Sequence, residues 1–224
     1  MKKSIFILLV MCLTSFMLSS CSKDNRSDGT GKESHFLKCP DNHHPHAIDL
    51  GLPSGTKWCC CNVGATTPED YGGYYAWGET SEKSYYSWDT YAYGNSRSNC
   101  YSIGTDISGT EYDVAYAHMG DPWRMPNYNQ YKELYSSCTI TRALQNGVYG
   151  ILVTGPSGGQ IFLPSAGYYG KSGLNYLSHR GLYWLSSLGV YEYSAYAFLF
   201  ASEGEWRSDE DYRYIGRTVR AVCP

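Results

Sequence analysis

Residues 127–163 read NYNQYKELYSSCTITRALQNGVYGILVTGPSGGQIFL, and this stretch decides the fold class. Asn127 is a natural N-cap, with Gln130 three residues on as its capping-box partner. Tyr131, Leu134, Tyr135 and Cys138 then recur at the spacing of one helical face, which predicts a short amphipathic helix. That face carries Cys138 to the buried side at the helix end, where it is a disulfide candidate. Gln145-Asn146-Gly147 turns the chain into a strand at Val148–Thr154. Residues 156–159 turn it again into a strand at 160–163, so a hairpin follows the helix.

Working outward, the C-terminal side is strand-like. Residues 183–187 form one expected strand. Tyr196, Phe198 and Phe200 alternate with Ala197, Leu199 and Ala201, the pattern of a strand covered on both faces. Residues 217–222 are the last strand, ending at Cys223. On the N-terminal side, residues 110–113 open a second short helix that Gly120 ends, and residues 123–126 are an extended connector. Residues 81–110 hold no period and read as a long excursion. Ile48 and Leu50 flank Asp49, Pro53-Ser54-Gly55 turns, and residues 57–63 return, which predicts an N-terminal hairpin. Hairpin, two short helices and then several antiparallel strands make an α+β domain of small antiparallel sheets with long loops.

The chain opens Met1-Lys2-Lys3 and runs apolar from Ile5 to Leu18, too short to span a bilayer. It reads as a signal peptide, residues 1–20. Leu18-Ser19-Ser20-Cys21 resembles a bacterial lipobox, in which Cys21 carries the lipid and becomes the first mature residue. Residues 22–34 hold no apolar side chain and are expected to be a flexible tether. Residues 35–224 then form a single domain. These features place the mature protein at the outer membrane, lipid-anchored, and weakly at the cell surface because Asp24 follows Cys21 by three.

Lys2 and Lys3 leave with the leader, so 18 basic residues fall to 16 against 21 acidic ones, a net charge of −5. The basic residues are scattered, which argues against a nucleic-acid partner. Tyr at 23 and Trp at 6 are high. Part of this set is expected to fill the core and part to bind, since tyrosine offers rigid contact area and a hydroxyl at little entropic cost. Beyond Cys12 and Cys21 seven cysteines remain, at 39, 59, 60, 61, 100, 138 and 223. An odd number leaves at least one thiol unpaired within the chain. Consecutive Cys59, Cys60 and Cys61 should alternate across a strand rather than converge on a metal. His43, His44 and His46 lack a thiol or carboxylate at a recognisable ligand spacing. No metal or cofactor is expected.

Seven ordered blocks carry a family resemblance. They are HAIDLGLPSGTKW from His46, CNVGA from Cys61, AWGET from Ala76, WRMP from Trp123, FLPSAGY from Phe162, YW with SS from Tyr183, and GRTVRAV from Gly216. Over roughly residues 47–223 the chain resembles the Fibrobacter succinogenes major paralogous domain family, common in Bacteroidetes surface lipoproteins. The resemblance implies a C-type-lectin-like fold. It also implies kinship with targets of diversity-generating retroelements, whose C-terminal strands and loops form ligand-binding faces. Cys61, Cys138 and Cys223 match family cysteines, so a disulfide among them is implied, with its partners open. Trp58, Trp77, Trp123, Arg124 and Trp184 fall in the blocks and are expected to be framework. Arg124 and Arg220 are expected to be buried on carbonyls or carboxylates, with Glu79 a candidate partner. The Glu-Pro-Asn and Trp-Asn-Asp motifs of calcium-dependent lectins are absent from the chain, which argues against that mode of sugar binding.

Between the last framework blocks lie two stretches read as irregular, residues 189–194 and 202–214. They mix Tyr, Trp, Arg, Ser, Glu and Asp in proportions close to an antibody paratope. The expected ligand-binding residues are Tyr191, Glu192, Tyr193, Ser194, Glu205, Trp206, Arg207, Ser208, Asp209, Asp211 and Tyr212, for an external protein or glycan. The chain holds no nucleophile elbow, phosphate loop or zinc-protease motif. Asp209, Glu210 and Asp211 are consecutive and should diverge rather than face each other across a cleft. An enzyme is not expected. The alternative is a structural or adhesion subunit that uses residues 81–110 as its interface.

Overall fold

In the computed structural model the described residues are 39, 41, 43–201 and 204–224. The expected signal peptide, the expected lipid site Cys21 and the expected tether lie outside them. Among the described residues no helix is long and apolar enough to cross a membrane.

Strand β1 (Ala47–Ile48) and β2 (Lys57–Asn62) form the expected N-terminal hairpin. A 3-10 turn (Trp88–Thr90) and a small hairpin, β3 (Gly94–Ser96) with β4 (Asn99–Cys100), organise the long excursion. It is not merely surface: Tyr86, Tyr91 and Ile107 are buried. Helices α1 (Val114–Met119) and α2 (Tyr128–Ser137) follow. Asp113 caps α1 by accepting from the amides of Ala115 and Tyr116, and Gly120 closes it at φ 71°.

Asn127 and Gln130 form the reciprocal capping box at α2, at 3.0 and 2.9 Å. Asn127→Ala is expected to cost about 1 kcal/mol, read from urea unfolding with an unchanged m-value. Tyr131 and Leu134 are buried, as the helical face required, but Tyr135 is 51% exposed. Its ring instead packs beside Trp206, 6.3 Å away.

The remainder is strand: β5 (Thr139–Gln145), β6 (Val148–Thr154), β7 (Gln160–Pro164), β8 (Tyr168–Gly170), β9 (Gly173–Asn175), β10 (Arg180–Leu188), β11 (Ser194–Ala201), β12 (Trp206–Tyr212) and β13 (Arg220–Cys223). The antiparallel strands divide into three three-stranded sheets, β1-β2-β13, β5-β6-β7 and β10-β11-β12, with two small ribbons. This is an α+β architecture. The expected single hairpin after α2 is a meander, because Asn146 and Gly147, both at positive φ, turn β5 into β6.

The C-terminal strand β13 pairs with β2, and isolated bridges at Tyr75–Arg217 and Tyr183–Thr218 join the segment before it to the rest. Two apolar clusters result. One gathers Trp77, Trp184, Met125 and Val219; the other gathers Trp58, Leu134, Ile151, Phe198 and Val222. Trp58, Trp77 and Trp184 are fully buried framework.

Arginines are built into this core. Arg220 is 0% exposed and bonds to Asn62 Oδ1 and to the carbonyls of Cys59, Cys60 and Phe162 at 2.8–3.0 Å. Arg124 is not buried as expected; its side chain is 38% exposed and reaches Asp121 at 3.7 Å. Glu79 pairs with Lys83 at 2.6 Å, not with either arginine.

Among the described residues the seven cysteines are free. For the implied bridging among Cys61, Cys138 and Cys223, the register bears on one pair, Cys61 with Cys223. Cys223 stands opposite Lys57, four residues from Cys61, or roughly 13 Å along the strand. Cys138 packs on the second apolar cluster and Cys61 in the first. Bridging requires Cα atoms within about 7 Å.

Candidate functional site

Within the stretch 202–214, residues 206–212 form a strand, β12, rather than an irregular loop. Residues 206–212 pair in continuous register with β11, from Phe200 opposite Trp206 to Ser194 opposite Tyr212. As an extended strand it spreads its side chains over about 20 Å, at roughly 3.4 Å per residue. The expected patch therefore divides into two ends.

At one end the turn between β10 and β11 presents Tyr191, 57% exposed, with its ring stacked on Tyr193 at 5.1 Å and 7°. Sequence chemistry shapes the turn. Glu210 reaches across from β12 and accepts from the Val190 amide at 2.8 Å and from the Ser194 hydroxyl. A Cβ on Gly189 would sit 2.5 Å from the Glu210 carboxylate and the Ser194 hydroxyl, so a side chain there would displace the groups that hold the turn. Ser194, expected as a ligand contact, is buried, and its hydroxyl oxygen accepts from the Tyr191 amide at 3.3 Å. It fixes the turn.

The ring series continues from Tyr193 to Tyr212 at 5.9 Å and from Tyr212 to Tyr214 at 5.7 Å. Arg97, from the β3–β4 hairpin, lies 4.6 Å over Tyr212 and 5.7 Å from Tyr193. Trp88 meets Tyr214 edge-on at 4.9 Å. Sequence reading missed Arg97 and Trp88, because they sit about 100 residues upstream in a stretch without period. Tyr191, Tyr193, Ser194, Glu210, Asp211 and Tyr212 line a cleft of about 370 Å³. Glu192 is exposed beside it, and its carbonyl accepts from Arg213.

The acidic residues diverge. Asp209 and Asp211 turn to Arg217, which is 1% exposed, at 2.9 and 2.5 Å. Arg217 in turn lies 4.7 Å over the Trp184 ring. Burial raises the Asp211 carboxyl above its ordinary range, against the opposing pull of Arg217. The cleft thus rests on a buried cation that balances its acidic wall.

At the other end Trp206 is half-buried. Its ring stacks on Phe198 at 5.7 Å, on Phe200 at 5.9 Å and on Tyr131 at 6.3 Å. It is the outer layer of an apolar cluster, because its strand register points it toward α2. Glu205 and Arg207 are exposed and pair with each other at 2.6 Å, and Arg207 also reaches Asp209 at 3.2 Å. Exposed pairs of this kind contribute little to stability. Ser208 is half-buried in mid-strand.

Away from this face, the structure gathers Cys39, His44, His46 and Cys60, whose donor atoms all lie within 4.8 Å of one another. The sulfurs of Cys59, Cys60 and Cys61 are equally close. Alternation puts Cys59 and Cys61 on one face, 4.0 Å apart, yet the Cys60 sulfur still comes near both.

The chain matches no protein-family model, no curated protein and no solved structure.

Proposed function

We propose that the chain is a lipid-anchored outer-membrane protein with a C-type-lectin-like domain of the Fibrobacter succinogenes major paralogous type, which binds an external protein or glycan. The binding face is the ring series Tyr191, Tyr193 and Tyr212 with its acidic cleft. One observation carries this reading: a stacked tyrosine pair, Tyr191 exposed and Tyr193 half-buried, stands on a turn fixed by side-chain hydrogen bonds. Flat aromatic surface held in advance loses little entropy on binding. Arg97 and the carboxylates beside it supply polar contacts for orientation.

The reading is non-catalytic. Asp209 and Asp211 are engaged by Arg217, and Glu210 by the turn. Residues 81–110 do not favour a separate interface, since their Arg97 and Trp88 join the same face.

An array of glycans and of host and bacterial surface proteins, probed with the purified chain, tests the proposal. One ligand class is expected to bind; a folded chain that bound none would overturn it. The anchor has its own test. Cys21→Ser is expected to move the protein from the membrane fraction to the soluble one, and a variant still sedimenting with outer membranes would contradict lipidation there.

A further inference from the structure

Four residues of the domain's N-terminal approach and its first hairpin converge without serving the binding face. Antiparallel pairing sets Ala47 opposite Cys59, so His46 falls beside Cys60, the next residue along. The Cys60 amide bonds to the His46 carbonyl at 3.0 Å, and the His46 amide approaches the Cys60 sulfur at 3.1 Å. The imidazoles aim at the same sulfur, His44 with Nδ1 at 3.1 Å and His46 with Nδ1 at 3.6 Å. The Cys39 thiol closes the group within the 4.8 Å limit.

Two thiolates and two imidazoles are the ligand set of a closed tetrahedral zinc site, with Zn–S near 2.3 Å and Zn–N near 2.0–2.1 Å. Such a site spaces its donors by about 3.3–3.8 Å, so donors at the 4.8 Å limit need to close by roughly 1–1.5 Å. The outer shell is also present. His46 Nε2 lies 3.1 Å from Asp41 Oδ1, which leaves Nδ1 free to face the metal. A carboxylate on the far nitrogen is the usual support of a metal-bound histidine. His43, by contrast, is 95% exposed and stays outside.

We infer that Cys39, His44, His46 and Cys60 bind one zinc ion, with Asp41 orienting His46, and that this site fastens the segment entering the domain to strand β2. Sequence spacing hides it, because Cys39 and Cys60 meet only once the hairpin has formed. The inference is independent of the ligand-binding proposal and stands if that one fails.

The test uses the full chain, purified under a thiol-free reductant, stripped with chelator and titrated with cobalt and then zinc. One equivalent of cobalt is expected to give the strong visible absorption of a tetrahedral thiolate site, bleached by zinc. Cys39→Ser and His44→Ala, both at partly exposed positions, should abolish it. Asp41→Asn should weaken zinc binding about 10- to 100-fold, and Cys138→Ser should leave it unchanged. Zinc should raise the thermal midpoint of the parent chain but not that of Cys39→Ser. Absence of the tetrahedral spectrum from a chain folded by circular dichroism would overturn the inference. So would a spectrum that survives in the Cys39→Ser, His44→Ala double variant, or a Cys39–Cys60 disulfide as the sole form isolated from cells.

Discussion

Replacing Arg220 by methionine is expected to destabilise the domain by about 3–5 kcal/mol, measured by urea unfolding. Methionine keeps much of the volume, so the loss reads hydrogen bonding rather than a cavity. Arg220 is fully buried, and its guanidinium satisfies Asn62 Oδ1 and three backbone carbonyls. Two of those carbonyls belong to β2 and one to β7, so the side chain fastens two sheets together at a point where neither can hydrogen-bond the other. Without it, four acceptors stay buried and unpaired, each costing about 1–3 kcal/mol unless water reaches it. A loss below about 1 kcal/mol would mean that these groups find other partners, and that the arginine is not the link between the sheets.

Trp184→Ala should cost a similar amount, about 3–5 kcal/mol, by removing a large buried ring. It should also weaken the binding face, which is the more informative half. The Trp184 indole donates to the Tyr75 carbonyl at 2.9 Å and the Ile215 carbonyl at 3.2 Å, and its face carries Arg217. Arg217 holds Asp209 and Asp211 in place. Removing the ring therefore frees the cation that balances the acidic wall of the cleft. Trp184→Phe retains most of the apolar area but loses both hydrogen bonds, and should fall between the two. Ligand affinity that tracked neither variant would separate the cleft from the core beneath it.

Local chemistry was legible in the sequence where it acts over a few residues. The Asn127–Gln130 box, the Gly120 helix end and the alternation of 196–201 each specify their own geometry. What escaped depends on pairing between distant segments. Residues 206–212 are polar and show no apolar period, so nothing local marks them as strand; their conformation comes from pairing with β11. That same pairing lays Trp206, an expected contact, half-buried against an apolar cluster. Strand β5 could have been found from Asn146-Gly147, a strong hairpin signal, with Ile140 and Leu144 alternating before it. The ring series was half visible: Tyr191, Tyr193 and Tyr212 lie in the expected stretches, whereas Arg97 and Trp88 arrive from the long excursion. The cysteine pairing stayed open for a related reason, since helical and strand periodicity say which face a thiol occupies but not which other thiol shares it.

The most direct measurement is the affinity of the Tyr191→Ala, Tyr193→Ala double variant for whichever ligand the array identifies, with its thermal midpoint alongside. Tyr191 is exposed and Tyr193 half-buried on a turn held by Glu210 and Ser194, so the midpoint should move little. Affinity should drop by at least about 30-fold, as expected for central aromatic anchors. Unchanged affinity in a folded double variant would place recognition elsewhere on the molecule and contradict the account.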